Sequence, residues 1–100
     1  MIISVVIPTY NRRDLLNRAL LSVFAQRLLP TEIIVIDDGS TDDTELMIAK
    51  EFPSVRYYRQ ENAGVSSARN VGIHHAKGDW LVFCNRSPIL LKFFHTKIIK

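Results

Sequence analysis

Two short runs of aliphatic and β-branched residues, Ile2–Ile7 and Glu32–Ile36, constrain this 100-residue chain more than anything else in it. Neither keeps the polar–apolar alternation of a strand with one wet face. Such runs mark strands covered on both faces, as in a parallel sheet flanked by helices. Each stops abruptly in polar, turn-forming residues: Pro8-Thr9-Tyr10-Asn11 after the first, Asp37-Asp38-Gly39-Ser40 after the second. In open parallel sheets, ligands bind beyond the carboxyl ends of the strands, so these two tips form the candidate site.

The rest of the chain supplies the layers. Leu15, Leu16, Ala19, Leu20, Val23 and Phe24 recur at helical spacing, which predicts a helix over 14–26 capped by Asn11 and closed by Pro30. Thr41-Asp42-Asp43 opens a second helix, with Leu46, Ile48 or Ala49, and Phe52 as its apolar face and Pro53 as its stop. A short third strand is expected over Val55–Tyr58. A third helix of small residues over Val65–Ala76, able to lie close to a sheet, precedes a fourth strand, Trp80–Phe83. This alternation predicts an α/β fold: a Rossmann-like, mostly parallel sheet with flanking helices.

Charge divides the chain at the same place. Residues 1–83 balance nine Lys/Arg against all ten Asp/Glu, whereas 84–100 hold Arg86, Lys92, Lys97 and Lys100 and no acid. We therefore expect a domain over 1–83 and an atypical basic, apolar tail over 84–100. Leu90, Leu91, Phe94 and Ile98 could share one helical face in that tail and give it a peripheral membrane contact, but for so short a segment packing on the exposed sheet or disorder is the favoured expectation. Basic residues scattered among acids make no nucleic-acid footprint. The apolar start is expected to be a strand, not a signal peptide or membrane span. Single Cys84 fits a reducing, cytoplasmic setting, and no zinc-ligand spacing exists. Adjacent His74 and His75 cannot face one ligand together.

At the second tip, alternation along a strand sends Asp37 and Asp38 different ways, one to the crevice and one to brace the Gly39-Ser40 turn. A fixed carboxylate in a crevice accepts from an imide or amino N–H or from ribose hydroxyls, and Tyr10 offers a flat face for a base. The plainer alternative is a turn and helix cap. Dinucleotide and P-loop glycine patterns are absent after the first strand. A phosphoreceiver domain would need an acceptor Asp after the third strand, where Arg59-Gln60 stand.

Val-Ile-Pro-Thr-Tyr-Asn-Arg, Ile-Val-Ile-Asp-Asp-Gly-Ser-Thr-Asp, Asn-Ala-Gly-Val-Ser-Ser-Ala-Arg-Asn and Lys-Gly-Asp-Trp-Leu-Val-Phe follow one another between Ile3 and Phe83. Together they strongly resemble the family 2 glycosyltransferases of the GT-A fold, in their N-terminal, nucleotide-sugar-binding part. The resemblance implies a nucleotide-diphospho-sugar donor, usually a uridine diphosphate (UDP) sugar. By it, Pro8, Thr9 and Tyr10 line the base, Asp38 accepts a hydrogen bond from it, and Asn62 and Arg69 reach toward the ribose and diphosphate.

The pattern breaks after the fourth strand. There the family carries an Asp-x-Asp motif for a divalent cation, Mg2+ or Mn2+, that bridges the donor phosphates. Here the positions read Cys84-Asn85-Arg86-Ser87. Neither carboxylate is present, and no acid after Asp79 could serve as the base that an inverting transfer requires. The expectation is a truncated nucleotide-binding half with impaired or no transfer. The alternatives are a non-catalytic nucleotide- or partner-binding module, or a metal-independent transferase using Arg86 and completed by another chain. A sheet cut here should leave Asp79–Cys84 as an edge that self-associates or lies beneath the tail.

Overall fold

The computed structural model describes residues 2–25 and 31–83 together with the backbone of 94–97. Its elements run β1 (Ile3–Thr9), α1 (Arg13–Ala25), β2 (Thr31–Asp37), α2 (Thr44–Glu51), β3 (Arg56–Arg59), α3 (Val65–His75), β4 (Trp80–Phe83) and β5 (Phe94–Lys97). The sheet order is β3-β2-β1-β4-β5, parallel throughout except that β5 is antiparallel to β4. The two apolar runs of the sequence are thus the two central neighbours, paired from Ile3↔Thr31 to Thr9↔Asp37.

Alternation along these strands feeds two cores. Val5, Ile7, Ile33 and Val35 face α1 and α2, meeting Leu16, Leu20, Val23, Met47, Ile48 and Phe52. Val6, Ile34 and Ile36 face α3 and meet Ala68 and Ala76. Small residues let α3 lie close: a Cβ on Gly72 would sit 2.3 Å from Val6 Cγ1. Burying a side chain such as Leu20 or Ile34 contributes about 1.5–3 kcal/mol.

Four local expectations change. Pro8 does not end the first strand; β1 runs on to Thr9. Thr9 O accepts from Asp38 N on the β2 side, so Pro8, one residue earlier, turns its missing N–H toward the β4 side. There the pairing has already ended, at Val6↔Phe83. On α2 it is Met47 that is buried with Ile48, while Leu46 is 58% exposed. Asn11 does not cap α1, because its side chain crosses to another loop, as described below. The outer side of β4 is paired with β5, so Trp80–Phe83 is not a free edge but is covered by part of the tail, the second of the two alternatives, and Phe94 belongs to a strand rather than a helix. Pro30, Cys84–Pro88, Leu90, Leu91 and Ile98 lie outside the described residues.

At the amino end of the sheet a polar network closes the fold. Glu32 Oε2 accepts from Ser4 Oγ (2.7 Å) and Lys77 N (2.8 Å), and Glu32 Oε1 is ion-paired with Arg56. Ser4 Oγ in turn accepts from Gly78 N at 2.9 Å. Arg56 also donates to His75 O and Tyr58 Oη, and the Tyr58 and His75 rings stack at 3.9 Å. Burial pushes the Glu32 carboxyl up, but the Lys77, Ser4 and Arg56 donors outweigh it and hold the group below its ordinary value.

Candidate functional site

At the carboxyl end the strand tips are joined by backbone bonds that extend the ladder past the strands. Asp38 N donates to Thr9 O (2.8 Å) and Gln60 N to Asp37 O (2.9 Å). The three loops after β1, β2 and β3 therefore start from one rigid line.

The adjacent carboxylates divide their work. Asp37 is fully buried and points away from the crevice. Its Oδ1 accepts from Ser40 N (2.8 Å) and its Oδ2 from Tyr57 Oη (2.5 Å), with Arg59 Nη1 at 3.8 Å. Arg59 also donates to Ser40 O at 2.7 Å. Burial and the bond to Asp37 push the Tyr57 phenol strongly up, keeping it a donor at all physiological pH. The turn this cluster braces requires Gly39 at φ +90°, where a Cβ would also crowd Asn62 N at 3.1 Å.

Asp38 lines a cavity. Its Oδ1 accepts from Gln60 Nε2 (2.7 Å) and Ala63 N (2.8 Å), and its Oδ2 from Gly64 N (3.0 Å). Burial raises this carboxyl, yet the donors from Gln60, Ala63 and Gly64 prevail and hold it below the usual aspartate value. It is an anion held by neutral donors: among the described residues no cation lies within ion-pair distance of it.

On the other side, Asn11 takes a left-handed backbone at φ 47°, which Asn tolerates better than most residues. Its Oδ1 accepts from Thr41 N (2.7 Å), Thr41 Oγ1 (3.3 Å) and Asp42 N (3.3 Å), and its N–H donates to Ser40 Oγ (2.8 Å). Asp42 meanwhile accepts from Thr44 N (3.1 Å) and Thr44 Oγ1 (2.5 Å) at the start of α2. The loops after β1 and β2 are thereby clasped together, with Tyr10 43% exposed beside the clasp.

The cavity beneath measures about 410 Å³. Pro8, Thr9, Tyr10, Asp38, Asn62 and Arg69, drawn from the end of β1, three loops and α3, all line it. The sequence had suggested these six. It missed the apolar floor of Leu15, Leu16, Ala19, Val65 and Ala68, and the second guanidinium, Arg12. Arg12 was findable, since it directly follows Tyr10-Asn11; the floor was not, because helix residues read only as core. Arg69 lies over the Phe83 ring at 5.8 Å.

Metal ligation does not fit the described lining. Asp38 is the one carboxylate there, its oxygens face N–H donors, and no cluster of three His, Cys, Asp or Glu occurs among the described residues. A hard divalent cation takes several oxygen ligands, and one carboxylate does not supply them. Residues 84–88 are outside that description.

A parallel sheet covered on both faces, with a cavity at its strand tips, is the fold of the GT-A, Rossmann-like glycosyltransferases. The family model for glycosyl transferase family 2 matches residues 4–86, and the chain belongs to that family. A Rickettsia felis protein named an uncharacterized glycosyltransferase is 41% identical over 92 residues, covering 90% of this chain and 15% of its own length. The crystal structure of S. aureus TarS 1-349 in complex with UDP-GlcNAc superposes with TM-score 0.71 at 31% identity, over 84% of this chain and 26% of TarS 1-349. The mannosyltransferase PcManGT from Pyrobaculum calidifontis, in complex with GDP-Man and Mn2+, gives TM-score 0.71 at 28% identity, over 82% and 26%. The chain thus spans about a seventh of that curated relative's length. No helix among the described residues is long and apolar enough to cross a membrane.

Proposed function

We propose that this chain binds the nucleotide portion of a nucleotide-diphospho-sugar, of the uridine diphosphate type, in the cavity at the carboxyl end of the sheet. The observation that carries the reading is convergence: residues from the loops after β1, β2 and β3 and from α3 line one cavity around a single anionic acceptor. In this reading Tyr10 and Pro8 cover the base, Thr9 lines its edge, and Asp38 accepts its N–H. Asn62 faces the ribose, and the two guanidinium groups of Arg69 and Arg12 meet the diphosphate, whose oxygens their planar forks match. The same reading places the protein in the cytoplasm, where its single thiol stays reduced.

Transfer of the sugar is the activity we propose for a protein with these elements. The contribution of the described residues is donor binding, since none of them is placed as the base for an acceptor hydroxyl. Self-association through β4 forms no part of this account, because the outer side of β4 is already paired with β5.

Calorimetric titration with UDP tests the reading. Binding is expected at about 0.1–1 mM, the affinity of a site holding only part of its ligand. Asp38→Ala should weaken it about tenfold or more, because the acceptor lost is charged, while the circular dichroism spectrum stays that of the wild type. Equal affinity in the variant would remove Asp38 from the site.

A further inference from the structure

Three of the described arginines have their charge met within the fold. Arg13 is ion-paired with Asp14 and Asp43, Arg56 with Glu32, and Arg59 Nη1 lies 3.8 Å from the buried Asp37. The two that line the cavity, Arg12 and Arg69, have no carboxylate within ion-pair distance among the described residues. Arg12 stands just before α1 and Arg69 on α3, helices on opposite faces of the sheet. A ligand filling the cavity therefore meets one guanidinium from each side. Arg69 lies over the ring of Phe83, 5.8 Å from its centroid, and Phe83 is the last residue of β4. A cation is thus already seated at the tip of the strand after which the resemblance places the metal ligands.

The carboxylates near this wall are engaged elsewhere. Asp37 braces the Gly39-Ser40 turn, Asp42 accepts from Thr44, and Asp43 pairs with Arg13. Asp38, in the reading above, meets the base and not the phosphates. Residues 84–88, Cys-Asn-Arg-Ser-Pro, bring no acid and one further cation. The diphosphate of a nucleotide-sugar carries one negative charge on each phosphate. Two guanidinium groups match that charge as one divalent ion would, and their planar forks fit phosphate oxygens in pairs. A divalent ion placed between them would be repelled by both. We propose that Arg12 and Arg69 together take the place of the divalent cation, so that the cavity holds the diphosphate without metal. The proposal rests on the nucleotide-binding reading above and adds to it the source of the charge that holds the phosphates.

The test titrates the full chain with UDP and with uridine, in EDTA and in millimolar Mn2+. Wild type is expected to bind UDP at least as tightly in EDTA as in Mn2+, because Mn2+ on the diphosphate masks the charge that the guanidinium groups meet. Arg12→Met and Arg69→Met keep an unbranched side chain and remove the charge. Each should weaken UDP about tenfold in EDTA and leave uridine within about twofold, since only UDP offers the charged acceptors. Thermal melts establish that each variant is folded. Tighter UDP binding in Mn2+ than in EDTA overturns the proposal and leaves nucleotide binding standing. So does a preference for UDP over uridine that either variant leaves unmoved, including one in which both ligands weaken together. Wild type that binds neither ligand overturns this proposal and the nucleotide reading together.

Discussion

Glu32 at the amino end of the sheet and Asp38 at the carboxyl end are built from similar parts and do different things. Each is a carboxylate largely removed from water, each accepts at least one backbone N–H from a distant segment together with side-chain donors, and each is held below its ordinary pKa by its donors. Glu32, however, is neutralised by Arg56, which ties β2, β3 and the end of α3 into one knot. Asp38 has only neutral donors and lines a cavity. A compensated carboxylate is spent on the fold. An uncompensated one with a vacant lone pair is available to a ligand.

Three experiments would sharpen or break that contrast. Arg56→Met leaves Glu32 charged and half-satisfied, and should lower stability by about 2 kcal/mol in chemical denaturation, with UDP affinity unchanged. A parallel loss of UDP affinity would mean that the two ends of the sheet are coupled. Asn11 gives a smaller effect nearer the cavity. Asn11→Ala combines an unfavourable left-handed backbone with loss of three hydrogen bonds, at about 1–2 kcal/mol, whereas Asn11→Gly relieves the backbone and should cost less. Both should weaken UDP binding, Ala more than Gly; unaltered UDP affinity in both would show that the clasp does not hold Tyr10 in place.

The smallest effect is in pH. Glu32 and Asp38 titrate lower in the fold than in the unfolded chain, so their contribution is complete above the unfolded carboxylate pKa, about 4. It is lost as pH falls through their lowered folded values. Glu32→Gln and Asp38→Asn should each flatten the loss of stability below about pH 4. An acid limb of unchanged slope in both variants would move the acid sensitivity to other groups.

Much of this arrangement is legible along the chain because it is local. Apolar runs without alternation specify central strands, and the residues that follow them become strand tips, so Pro8, Thr9, Tyr10 and Asp38 could be named before any coordinates. The small residues of 65–76 likewise announced a helix pressed on the sheet. What escaped is non-local. Glu32, Arg56 and Lys77 each look like surface residues in sequence, and only the register Ser4↔Glu32 and the approach of Lys77 tie them to Ser4 in one polar knot. The fate of Pro8 depends on where β4 stops pairing, and that of Leu46 on a one-residue shift in the phase of α2. Asn11 followed by Asp14 reads as a cap because the competing acceptors and donors lie about thirty residues away, in 40–42. Gln60 carries no motif at all; its meaning comes from the carboxylate it backs.

The Asn11 clasp also says how such a site can be re-engineered. Residues 9–12 and 40–42 share four hydrogen bonds, one left-handed residue and no covalent link shorter than the whole of α1 and β2. Grafting a relative's first loop alone would install a lip whose partner no longer fits it. The transplantable cassette is the two loops together, so a library that randomises them as a pair should yield folded, ligand-competent members far more often than one that varies either by itself.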